Sequence, residues 1–200
     1  MGEGGANRLI VGVSGASGAV YGLRVLDACA DMGVETHLVA SKSAVQTLAQ
    51  ETGLAMADLN ARAAVTYKLA DVGAAIASGS FKTLGMIVAP CSIRTMSEIA
   101  TGVTSSLITR AADVTLKERR PLVLMVRETP FHLGHLRTMV ALAEMGAIIA
   151  PPLPALYAKP PSIEAMIDQS VGRALDLFGL DWASVKRWGE DLDVIAGDDS

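Results

Sequence analysis

Apolar residues fall along this chain on two periods. Short, mostly apolar runs occupy residues 8–13, 85–89, 121–126 and 146–150, and residues 34–40 (VETHLVA) read as a further strand. Their length and branched content mark buried strands, and Pro121 opens its run at a position where no ladder bond is lost. Between the runs, apolar residues recur at helical spacing. Val20, Leu23, Val25, Leu26 and Cys29 mark a helix over residues 18–32, closed by Gly33. Val45, Leu48 and Ala49 mark a second helix reaching about Thr52, with Ser41 at its N-cap. Further helices are predicted over residues 58–63, from Ser92 or Thr95 onward, over 105–119, and from Ser162 to about Phe178. Thr129-Pro130 reads as N-cap and first residue of a helix reaching Met145. Residues 53–82 otherwise show weak periodicity. Strands alternating with helices predict an α/β class: a three-layer parallel sheet covered on both faces. No repeat or linker divides the 200 residues, so they read as one domain with flexible tails at 1–7 and 191–200.

The first strand runs into Ser14-Gly15-Ala16-Ser17-Gly18 and then into a helix. A strand, a small-residue loop and a helix N-terminus make an anion site, because first-turn N–H groups point outward unpaired and the helix dipole favours negative charge. The glycines run Gly12, Gly15, Gly18, which is not the dinucleotide fingerprint, and the second strand ends in Ser41-Lys42-Ser43 with no acid for a ribose hydroxyl. No Lys and hydroxyl residue follow the glycines as in a P-loop, and Ala19 breaks a nucleophile elbow. A mononucleotide such as FMN suits this loop better than NAD or ATP. In a parallel sheet, ligands sit at the carboxyl ends of the strands. Those ends are residues 15–18, Ser41, 90–95, 127–130 and 151–157, all rich in small, hydroxyl or charged groups.

Composition narrows the function class. A net charge of -4 argues against a general nucleic-acid binder. No charge-free apolar run reaches the ~18 residues of a membrane span. The first residues lack a signal pattern, so the expected location is the cytoplasm. Cys29 and Cys91 are isolated, as in a reducing compartment. The chain is half hydrophobic yet only 4% aromatic, which hints at further burial between copies.

Some residues could carry chemistry. Arg127 and Glu128 stand together directly after a strand. Arg110, Asp113 and Lys117 share one helical face, which reads either as a solvated face or, with Arg127, as a phosphate cradle. His132 and His135 are three apart with no further convergent ligand, so a structural role is expected rather than a metal. Cys91 after Pro90 reads equally as a nucleophile or as a small core residue.

Several segments together carry a resemblance: residues 15–22 (GASGAVYG), 77–81 (ASGSF), 90–92 (PCS), 110–114 (RAADV), 116–124 (LKERRPLVL) and 127–130 (RETP). In order and spacing, from about residue 8 to Trp188, the chain resembles the UbiX family of flavin prenyltransferases. The resemblance implies a flavodoxin-like or Rossmann-like fold, assembled as a dodecamer with sites between subunits. It implies joining of a dimethylallyl group from dimethylallyl phosphate to N5 and C6 of reduced FMN, without metal. The product would be the prenylated FMN used by a UbiD-type decarboxylase. By motif, Gly15, Ala16, Ser17, Ser41, Ser92, Ile93, Arg94, Thr95 and Arg127 match FMN-contacting positions. Arg110, Lys117, Tyr157 and Arg173 match positions around the donor phosphate, and Trp188 matches a tryptophan of the C-terminal segment. Glu51 and Glu128 match acids near the reacting centre and are grouped with Lys117 and Ser17 as catalytic. Leu156 stands where many members have phenylalanine, and residues 71–77 lack the aromatic and prolines of some members.

The residue types suit that chemistry. Cations can take the charge of a departing phosphate, and a carboxyl such as Glu128 or Glu51, or the released phosphate, can move the protons of ring closure. Two other classes remain at this stage: a flavin-dependent decarboxylase of peptidyl-cysteine type, and a non-catalytic flavin-binding subunit of an aromatic-acid decarboxylase.

Overall fold

The computed structural model describes residues 7–191; the expected tails lie almost wholly outside that range. The strands form because their apolar residues must leave water on both sides of one layer. Six of them, β1 (Arg8–Val13), β2 (Glu35–Ala40), β3 (Val65–Tyr67), β4 (Gly85–Cys91), β5 (Leu122–Val126) and β6 (Ile148–Ile149), build one sheet. The order is β3-β2-β1-β4-β5-β6 and every pairing is parallel. This is the doubly wound order in which the chain reverses direction between β1 and β4.

Successive residues of each strand enter opposite cores, the period-two rule of an extended chain. Leu9, Val11, Val13, Ile87, Val123 and Met125 pack with α1 (Ala19–Asp31), α2 (Lys42–Thr52), α3 (Met56–Asn60) and α7 (Ile163–Leu175). Ile10, Met86, Val88, Leu122, Leu124 and Val126 pack with α4 (Ile93–Ala100), α5 (Leu107–Lys117) and α6 (Leu133–Glu144). Helices therefore cover both faces, as the alternation of elements predicts.

The differences from expectation are local. Residues 53–82 contribute the edge strand β3, which the weak periodicity hid because its three residues are only partly buried. The short helix there spans Met56–Asn60 rather than 58–63. α6 starts at Leu133, not at Pro130. The Thr129–Pro130 peptide is cis, and His132 caps the helix, its Nδ1 accepting the Gly134 and His135 N–H groups. β6 is shorter than expected, and the last helix ends at Leu175, followed by one 3-10 turn at Asp176–Phe178. No helix among the described residues is long and apolar enough to cross a membrane.

Candidate functional site

The reversal of strand order leaves a crevice at the carboxyl ends of β1 and β4, and a buried serine joins the two ends. Ser14 is 1% exposed; its hydroxyl donates to the Pro90 carbonyl at 2.8 Å and accepts the Ser92 N–H at 2.7 Å. Its own N–H also reaches the Pro90 carbonyl. The hydroxyl thus fixes the start of α4 against the end of β1. Sequence reasoning passed over Ser14; its signal was a hydroxyl placed directly after a buried strand.

Beside this joint lies an open cleft of about 1120 Å³. Three helices begin on it, and each is capped by a serine. Ser41 accepts the Ala44 N–H, Ser92 the Thr95 N–H, and Ser106 the Thr109 N–H. The remaining first-turn amides and dipoles of α2, α4 and α5 give the cleft a positive potential. Lys42, Lys68 and Arg94 line it and add full charges, offset by Glu98, which pairs with Arg94 at 2.8 Å. Tyr67 and Leu69 supply an apolar wall. The volume, the hydroxyls and the positive lining match a mononucleotide with a phosphate. Of the residues singled out by motif, Ser41, Ser92, Arg94 and Thr95 lie on this cleft. Lys42, Lys68 and Ser106 were missed. In Ser41-Lys42-Ser43 the cap and the missing acid were read, but not the charge of Lys42.

The loop after β1 behaves differently from expectation. Two of the amides that open α1 are already taken. Glu51 at the end of α2 takes them: its carboxylate accepts the Gly18 N–H at 2.9 and 3.0 Å and the Ala19 N–H at 2.8 Å. The helix N-terminus attracts an anion, as the dipole argument requires, but the anion is the chain's own side chain. Gly18 enters the helix at φ 100, a left-handed value that only glycine takes freely. Gly15 packs on the start of α2; a Cβ there would lie 2.3 Å from Ser43 Oγ. Ala16 and Ser17 cross between these two points, with Ser17 exposed.

The other motif residues fall into separate groups. Arg127 and Glu128 are exposed at the end of β5, where the Arg127 N–H donates to Cys91 and the Glu128 carboxylate accepts the Thr129 N–H. Burial lifts the Tyr21 hydroxyl above its ordinary pKa, and the nearby Arg127 charge pulls it back. Arg110 pairs with Asp113 at 2.8 Å. Lys117 pairs with Glu118, over the backbone of Gly79. α5 starts at the cleft and has 11 residues, so Lys117 stands about 16 Å away, toward the amino ends of the strands, where β5 begins at Leu122. Arg173 occupies the last turn of α7 and pairs with Asp176. Tyr157 and Trp188 meet edge to face, their centroids 5.7 Å apart. One copy of the chain does not bring Arg110, Lys117, Tyr157 or Arg173 onto the cleft.

Cys91 is fully buried, and desolvation pushes its thiol up to about 12, so it is a core residue rather than a nucleophile. The His132 and His135 rings stack 3.5 Å apart, with His132 engaged as a cap. Among the described residues, no three His, Cys, Asp or Glu side chains group as a metal site.

A family model described as Flavoprotein matches residues 2–175. The chain is 54% identical over 181 residues to flavin prenyltransferase UbiX of Thauera aromatica, covering 90% of this chain and 93% of that one. It superposes on a crystal structure of AnUbiX in complex with FMN and dimethylallyl pyrophosphate with a TM-score of 0.89 and 49% identity. That match covers 90% of this chain and 96% of the other. A dodecameric FMN-dependent UbiX-like decarboxylase from Escherichia coli O157:H7 gives a TM-score of 0.88 at 46% identity, covering 90% and 98%. With half its residues shared along nine-tenths of its length, this chain belongs to the UbiX family of flavin prenyltransferases.

Proposed function

We propose that this chain transfers a dimethylallyl group from dimethylallyl phosphate to reduced FMN, and that the cleft at Ser41, Ser92, Arg94 and Thr95 holds the flavin. The observation that carries the reading is the convergence of three serine-capped helix N-termini and of Lys42, Lys68 and Arg94 on one mononucleotide-sized cleft. That convergence suits the FMN phosphate at the starts of α2 and α4, with the isoalloxazine toward Gly15, Ala16, Ser17 and Arg127. Reduced FMN supplies N5 and C6 as nucleophiles. The chain's residues supply the rest. Arg110, Lys117 and Arg173 neutralise the phosphate as it leaves, and the Tyr157 hydroxyl donates to it. Trp188 and Tyr157 give the five-carbon group an aromatic wall. Glu51 and Glu128 are the carboxyls available to hold and move a proton. The product is the prenylated flavin that a UbiD-type decarboxylase uses.

The separation of these groups within one copy supports an assembly in which a second copy completes each cleft. α6 supports it independently: Leu133, Leu136 and Val140 form an exposed apolar stripe on one side of that helix. A dodecamer in the cytoplasm is the expected form. A peptidyl-cysteine type of decarboxylase would want a His after β4 and a Cys on a mobile flap; Pro90-Cys91-Ser92 offers no His, and Cys91 is buried in the sheet. Anaerobic incubation with reduced FMN and dimethylallyl phosphate tests the activity. The flavin should gain the mass of one dimethylallyl unit, with inorganic phosphate released. Recovery of unaltered FMN would refute the proposal.

A further inference from the structure

The segment that follows α7 is fastened to that helix at three points and then presents a tryptophan to solvent. Gln169, Gly172 and Asp176 stand at i, i+3 and i+7, hence on one face. Gln169 is 3% exposed, and its carboxamide pairs with a single backbone position in both senses. Its Nε2 donates to the Lys186 carbonyl at 2.9 Å, and its Oε1 accepts the Lys186 N–H at 2.9 Å. One turn on, Gly172 lies directly beneath Val185. A Cβ at that position would stand 1.9 Å from Val185 Cγ2 but 3.5 Å from Val185 Cβ and from Trp182 Cε3. A further turn on, Asp176 accepts both terminal nitrogens of Arg187, at 2.9 and 3.0 Å.

Trp188 comes next. It is 60% exposed, and its ring meets Tyr157 at 80°. The fastening does not serve to bury Trp188. Apolar contact alone would hold the segment without fixing its register. A buried carboxamide with both its donor and its acceptor satisfied on one residue does fix it, because any slip leaves polar groups unpaired. Gly172 sets the fit of residue 185 on α7, since a Cβ there meets Val185 Cγ2 and forces that residue to shift.

We propose that Gln169 and Gly172 are positioning residues that hold Trp188 against Tyr157 and thereby set the fit of the donor's prenyl group. This rests on the reading of Tyr157 and Trp188 as donor-binding residues. Neither Gln169 nor Gly172 touches substrate; both act through the backbone at residues 185–187.

The test is a steric rescue, read as the KM for dimethylallyl phosphate at saturating reduced FMN, with FMN affinity measured beside it. Gly172→Ala should raise that KM by about tenfold, the equivalent of about 1.4 kcal/mol of lost binding, and leave FMN affinity within about twofold of the parent, since the shift falls on the donor wall and not on the cleft. Val185→Ala removes the atom that clashes and leaves the new Cβ in ordinary contact. The double variant Gly172→Ala/Val185→Ala should therefore return to within about twofold of Val185→Ala alone. Gln169→Met, which keeps volume and removes both hydrogen bonds, should raise the same KM and carries the test should Gly172→Ala fail to fold. Trp188→Ala separates the two layers of the argument. A raised KM in Trp188→Ala, with no change in folded Gly172→Ala or Gln169→Met, overturns the positioning role alone. A raised KM in Gly172→Ala that Val185→Ala does not relieve overturns it as well. An unchanged KM in Trp188→Ala overturns the donor-site reading and the positioning role together.

Discussion

His37 is the residue whose surroundings most exceed what its place in the chain suggests. It lies within β2 and is 3% exposed. Glu35 bonds its Nε2 and Tyr67 its Nδ1, each at 2.9 Å. Since a carboxylate only accepts, the neutral ring carries its proton on Nε2, and the Tyr67 hydroxyl donates to Nδ1. Burial pulls the imidazole pKa below its ordinary value of 6.5, against the opposing pull of Glu35. Glu35 is itself held below its ordinary value: desolvation acts against this, and the His37 and Arg8 hydrogen bonds outweigh it. Unfolding in mild acid therefore takes up a proton that the folded His37 refuses. Stability from this source is complete above pH ~6.5 and is lost as the pH falls below it. Urea denaturation near pH 7.5 and near pH 5.5 should show a smaller acid loss in His37→Gln than in the parent; equal losses would contradict the assignment. Cys91 gives a second residue-level expectation. With its thiol held near 12 by burial, Cys91→Ala should retain prenyl transfer within about threefold, after a packing loss of about 1 kcal/mol. Loss of activity in a folded variant would restore the nucleophile.

At the scale of elements, the chain announced most of its own structure. Residues 9–13, 85–89 and 121–126 carry no polar side chain because both faces of their strands are buried, whereas residues 34–40 bury Thr36 and His37 as hydrogen-bonded groups. Ser41 was legible as a cap because a hydroxyl at an N-cap has one strong local use. β3 was not legible, because a three-residue edge strand buries too little to show a period. The cap of α6 was misread for a different reason: Thr129 has the common capping chemistry, but an imidazole three residues later performs it. Glu51 could not be assigned to the start of α1 from sequence, since that contact spans 33 residues. The serine-capped corner was visible only in pieces, because no local signal says that α2, α4 and α5 begin at one place. α5 carries the prediction at this scale. If Lys117 holds the leaving phosphate as proposed, Lys117→Ala removes one charge-assisted contact of about 1.5–3 kcal/mol, and transfer should slow about tenfold to a hundredfold or more. FMN affinity should hold, because Lys117 lies off the cleft. A parental rate would return α5 to a solvated face held by Arg110–Asp113 and Lys117–Glu118.

At the scale of the molecule, the site residues named by motif lie in separate places that one copy does not bring together. Ser41, Ser92, Arg94 and Thr95 face the cleft, while Lys117 ends α5 toward the amino ends of the strands. The unburied stripe on α6 supplies a surface for a second copy. The account stands on that division, and mixed assemblies test it directly. Ser41→Leu disables the cleft and Lys117→Ala disables the phosphate cation, each in its own chain. The two variants, individually weak, are expressed together and purified as one population of mixed oligomers. If each site takes its cleft from one copy and Lys117 from another, random mixing leaves half of the clefts intact and half of the cations intact, so about a quarter of the parental prenyl-transfer activity returns. If each site lies within one chain, every site carries a lesion, and the mixed population stays as inactive as its parts, which would contradict the account.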